Sequence, residues 1–97
     1  MPFAIILAPE AAQDLKSLKA NVRGTVRAEL ERHLRHEPRK VSRSRIKRLR
    51  GLARPQYRLR VGDVRVFYDV TGTTVEILAI VTKSEAEIWL TRHGSPE

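Results

Sequence analysis

The sequence predicts an α+β domain: an N-terminal strand and a helical hairpin packed on a small antiparallel sheet of about four strands, with a short C-terminal helix. Three observations carry that prediction. Apolar residues recur at helical spacing as far as Leu34, the period changes to two from Tyr57 onward, and Pro and Gly punctuate the joins. Ninety-seven residues support one two-layered core, so residues 1–97 are read as a single domain.

Phe3 to Ala8 is an apolar run of strand length that stops at Pro9. Pro9 suits the first turn of a helix, Glu10 and Asp14 sit where the helix dipole favours anions, and Ala8, Ala11, Ala12, Leu15 and Leu18 keep helical spacing. Asn21 is read as the cap of a second helix, whose stripe Val22, Val26, Leu30 and Leu34 ends before Pro38. Gly24 weakens that helix.

Beyond the basic segment, Tyr57, Leu59 and Val61 alternate with Arg58 and Arg60. Gly62-Asp63 then makes a two-residue hairpin turn, and Val64, Val66, Tyr68 and Val70 alternate with Arg65, Phe67 and Asp69. Such a turn pairs Val61 with Val64, Arg60 with Arg65, Leu59 with Val66 and Arg58 with Phe67. One face of the hairpin is then apolar, and Arg58, Arg60, Arg65, Phe67 and Asp69 are expected to face outward on the other. Gly72 marks the next turn, and Val75 to Thr82 reads as a central strand. Ser84 with Glu87 reads as a capping box opening a last helix that runs through Trp89 and Leu90 to near Gly94.

The formal net charge of +8 is unevenly placed: eleven of the nineteen cations lie between Pro38 and Arg65, against the single anion Asp63. An anionic partner is expected from that excess. Like charges facing each other across a strand pair destabilise by roughly 0.2–1 kcal/mol, so Arg60 opposite Arg65, with Arg58 one step along, predicts a bound anion. Guanidinium matches phosphate in bidentate geometry and keeps its proton. Phe67 on the same face offers a ring for a nucleobase.

Other classes of chemistry find no support. The absence of cysteine removes disulfide scaffolds, zinc knuckles and thiol nucleophiles. His33 and His36 have no accompanying carboxylate pair, so they are read as helix surface; neither a metal nor a cofactor is expected. No apolar run near the N-terminus is long enough for a membrane span, nor does that end look like a signal peptide, so a soluble cytoplasmic protein without a membrane partner is expected.

Leu49-Arg50-Gly51, the run from Tyr57 to Val70, and the apolar strand leading to Val81 and Lys83 together resemble the RelE/ParE superfamily of toxins from bacterial type II toxin–antitoxin systems. The resemblance implies a RelE-like fold and a growth-arresting toxin silenced by a cognate acidic antitoxin in a hetero-oligomer. In the RelE branch it implies metal-independent cleavage of messenger RNA on the ribosome. The family's basic strand and hairpin positions fall at Arg58, Arg60 and Arg65, and its late-strand cation falls at Lys83, which makes these four the implied catalytic set. Lys47, Arg48 and Arg50 are expected to bind the RNA backbone, and Phe67 or Trp89 a base. Arginine stands where the family has titratable lysines, and Trp89 stands where it has a tyrosine. The ParE branch implies a DNA gyrase inhibitor without a nuclease site, and a plain RNA-binding module is the third reading.

Overall fold

The computed structural model describes residues 1–97. Along the chain it forms β1 (Ala4–Leu7), α1 (Pro9–Ser17), α2 (Ala20–Leu34), β2 (Ile46–Arg48), β3 (Leu52–Arg54), β4 (Tyr57–Val61), β5 (Val64–Thr71), β6 (Thr74–Thr82), α3 (Lys83–His93) and β7 (Ser95–Pro96). The α+β class stands as expected, and the sheet is larger than expected. Five strands pair in the order β1-β6-β5-β4-β2, and β3 pairs separately with β7. The main sheet is also mixed rather than antiparallel, because β1 runs parallel to β6, with Ala4 beside Thr74 and Leu7 beside Ile77. The α1–α2 hairpin is the crossover that carries the chain away from β1.

The core lies between that helical hairpin and one sheet face. Ala11 and Leu15 of α1 and Val26, Leu30 and Leu34 of α2 meet Leu59, Val61, Val66, Tyr68, Val75 and Ile77. Removing each large aliphatic side chain from water stabilises the fold by about 1.5–3 kcal/mol. Two polar contacts tie α1 and the segment that follows α2 to the sheet. Asp14 Oδ2 accepts the Ile80 amide at 3.0 Å beside the irregularity where β5 shifts register against β6. The fully buried Tyr68 donates its hydroxyl to the Pro38 carbonyl at 2.7 Å. Burial pushes that phenol far up, so it remains a donor.

The hairpin register is the one expected, with Val61 opposite Val64 and Arg60 opposite Arg65. Gly62 has φ +57° at the first turn position, whereas no residue other than glycine has positive φ. A side chain there would strain the two-residue turn.

Three local expectations are corrected. Asn21 does not cap α2, which starts at Ala20, two residues earlier than such a cap would give, behind Lys19 and with no side-chain cap; Asn21 lies inside the first turn. The capping box of α3 is not Ser84 with Glu87, because β6 continues to Thr82 and makes that residue the N-cap, with Glu85 as its partner. Glu85 Oε1 accepts from the Thr82 hydroxyl at 2.7 Å and from its amide at 3.4 Å. Finally, the polar face of the hairpin is not open along β5. Helix α3 crosses it at Phe67, Arg54 and Gln56 reach over Asp69, and Arg65 is 8% exposed, Phe67 1% and Asp69 8%.

Candidate functional site

The strand period places Arg58 and Arg60 on the sheet face opposite the core, and the β2–β4 register sets Lys47 beside Arg58. The hairpin turn then fixes where α3 begins, for the Lys83 amide donates to the Asp63 carbonyl at 2.8 Å. Lys83 is thereby brought to the Arg65 end of the hairpin. The result is a groove of about 500 Å³ between α3 and the β2–β4–β5 face, to which Lys47, Arg58, Arg65 and Lys83 contribute cations. Leu49, Phe67 and Leu90 supply its apolar part, and Ser84 and Glu87 line it from α3.

The chain has seven ion pairs, and none includes Lys47, Arg58, Arg60, Arg65 or Lys83. Elsewhere in the basic segment, four cations are paired: Lys40 with Glu37, Arg45 with Glu29, Arg48 with Glu97, and Arg54 with both Asp69 and Glu76. The charge excess thus divides into a paired set and an unpaired set. Of the unpaired cations in this segment, Lys47, Arg58 and Arg65 line the groove together with Lys83, whereas Arg39, Arg43, Arg50 and Arg60 lie outside its lining.

Arg58 is the most constrained of them. Its Nε is buried with no hydrogen-bond partner. Burial, and then the charges of Arg65 and Arg60, hold its guanidinium below the ordinary arginine range. A buried donor without an acceptor costs about 1–3 kcal/mol, so the fold holds the Arg58 guanidinium in place at a cost to stability. Arg65 is partly committed: its Nη1 donates to the Gly62 carbonyl at 2.8 Å and the Val64 carbonyl at 3.1 Å. Its Nε and Nη2 donors are left over from those bonds.

The remaining sequence-derived candidates are distributed differently. Phe67 lies under the Trp89 indole, with 5.1 Å between ring centroids and 6° between planes, so it has no free face for a base. Trp89 is held between Phe67 and His93, whose ring lies 5.2 Å away. Arg48 turns to the other sheet face. There its guanidinium sits over Tyr57, 5.5 Å from the ring centroid, and donates to the Leu49 and Gln56 carbonyls at 2.8 Å. Arg60 is exposed at the margin of the groove, and Arg50 is exposed on the turn before Gly51, outside the groove lining. His33 Nε2 stands 3.4 Å from Glu29 Oε2 on α2, away from the groove.

Glu87 escapes notice as a groove residue in the sequence because it fits a capping box with Ser84. The signal that finds it is its spacing, four residues after Lys83 and so on the same helical face.

Chemically, the groove offers fixed guanidinium donors, two flexible ammonium groups and one carboxylate. Guanidinium and ammonium donors placed together can hold a phosphate group through charge-assisted hydrogen bonds.

The family of ParE toxins of type II toxin–antitoxin systems has a model that matches residues 5–87. No curated protein matches the chain. Among solved structures, a chain of the RelBE2 toxin–antitoxin complex from Mycobacterium tuberculosis is 27% identical with a TM-score of 0.66, covering 84% of this chain and 99% of that one. A chain of the RelE–RelB complex from the archaeon Pyrococcus horikoshii is 25% identical with a TM-score of 0.64, covering 86% and 97%. A double mutant of Escherichia coli toxin RelE in the free state has a TM-score of 0.70 over 96% of this chain and 99% of that one; at 20% identity this likeness concerns the fold.

Proposed function

The chain belongs to the ParE toxin family of type II toxin–antitoxin systems, within the RelE/ParE superfamily, and on that footing we propose that it acts as a metal-independent endoribonuclease on ribosome-bound messenger RNA in the cytoplasm. The observation that carries this reading is the set of four unpaired cations lining one groove, Lys47, Arg58, Arg65 and Lys83, with Arg60 exposed on the same sheet face. Three arginines can hold the non-bridging oxygens of the scissile phosphate and stabilise the charge that builds on them as the ribose 2′-hydroxyl attacks. Lys47 extends the contact to a neighbouring phosphate. Lys83 supplies a proton to the departing 5′-oxygen.

A silencing antitoxin is the expected partner. Solved chains similar to this one come from toxin–antitoxin complexes, and an acidic segment laid along the groove would neutralise the unpaired cations. The test is induction of the protein followed by mapping of transcript ends. Cuts placed by codon position, abolished in Arg58→Ala, support the reading; intact messages overturn it.

Gyrase inhibition is the second reading, favoured by one observation: Trp89 is packed between Phe67 and His93 and brings no hydroxyl to the groove. It predicts loss of negative supercoiling with messages intact.

A further inference from the structure

We infer that Glu87 is the proton acceptor of the groove, taking the proton from the ribose 2′-hydroxyl; this rests on the nuclease reading above. Arginine cannot serve as a base at neutral pH, and the three guanidinium groups of the site leave that role unfilled. The cap at the start of α3 supplies a candidate. With Thr82 and Glu85 forming that cap, the Glu87 side chain is released from any structural duty. It forms no ion pair, although Lys47, Arg58 and Arg65 from the sheet and Lys83 and Ser84 from its own helix line the same groove. It is the only carboxylate among the lining residues.

The spacing also fits an in-line displacement. Lys83 and Glu87 are one helical turn apart, roughly 5–6 Å between Cβ atoms, so one phosphate held by Arg58 and Arg65 can lie between them. Glu87 accepts the 2′-hydroxyl proton as the 2′-oxygen bonds to phosphorus. The bond from phosphorus to the 5′-oxygen breaks, and that oxygen takes a proton from the Lys83 ammonium. The products are a 2′,3′-cyclic phosphate and a free 5′-hydroxyl. Glu87 then loses its proton to solvent and Lys83 regains one from solvent, so no further reactant is consumed.

The test compares the full chain with Glu87→Gln in single-turnover cleavage of messenger RNA on purified ribosomes, with the pH–rate profile, the RNA termini and the unfolding midpoint as readouts. Glu87→Gln should cleave about 10²- to 10⁴-fold more slowly, bind the ribosome–message complex at least as tightly, and unfold at the parent's midpoint. Its residual rate should follow a pH–rate profile different in shape from the parent's. Cleavage by Glu87→Gln within a few-fold of the parent, with the same profile, overturns the role of Glu87 and leaves the nuclease reading standing. A parent that cuts no message while remaining toxic overturns both.

Discussion

The indole of Trp89 lies parallel to the ring of Phe67, 5.1 Å between centroids and 6° between planes. This contact fastens α3 across β5. The helix has no fully buried residue of its own, and Ile88 on its outer side is 56% exposed, so little else of aromatic size holds it there. Because Lys83 and Glu87 ride on α3, the stack also sets the width of the groove.

Trp89→Ala should therefore destabilise the protein by about 2–3 kcal/mol, less than the 3–5 typical of a fully buried aromatic because Trp89 is half-buried. Trp89→Phe should retain most of that stability. Urea unfolding of the two variants measures the difference, and a Trp89→Ala variant as stable as the parent would show that α3 is held by other contacts.

At Arg58, stability and function should move in opposite directions. Replacing it by Met keeps an unbranched apolar stem and removes a desolvated charge that lies near Arg60 and Arg65. The variant should gain about 0.2–1 kcal/mol in unfolding free energy. Its affinity for RNA should fall tenfold or more, because a hydrogen bond to a charged group is worth about 1.5–3 kcal/mol. Unfolding and RNA binding at one fixed salt concentration test both halves together.

A pH dependence follows from Asp69. Burial raises its carboxyl above the usual range, against the opposing effects of the Gln56 amide, which it accepts at 2.7 Å, and of Arg54. The native state thus holds this proton more tightly than the unfolded chain does. The contribution to stability is fully present below the unfolded value, about pH 4, and is lost as pH rises through the raised folded value. Asp69→Asn keeps an acceptor for the Gln56 amide and removes the titration. The variant should gain on the parent as pH rises from about 4 to 7, and a pH series of unfolding midpoints reads the gap. A gap independent of pH would refute the assignment.

The parts legible in the sequence are those set by local periodicity. A two-residue turn leaves one register for Tyr57–Val61 against Val64–Thr71, and so Arg60 opposite Arg65 follows from the order of residues alone. Strands of two and three residues, Leu52–Arg54 and Ser95–Pro96, are too short to carry a period, and their pairing depends on the whole fold. The cap of α3 is ambiguous in the sequence because Thr82 with Glu85 and Ser84 with Glu87 both fit the same four-residue pattern. Only the point where β6 ends chooses between them. Which cations are free is equally hidden, since Arg48 and Arg54 find their carboxylates at Glu97, Asp69 and Glu76, far away in the chain.

The parallel pairing of β1 with β6 joins residues about 70 positions apart, Ala4 with Thr74. Contacts so distant in sequence form late, because the entropy of closing the loop must be overcome before they stabilise anything. On the ribosome, β1 and the α1–α2 hairpin therefore emerge long before their sheet exists. The groove is incomplete until α3 has left the exit tunnel, so Lys83 joins the sheet cations only after β6 has been made, and an antitoxin already present can meet the chain as it folds.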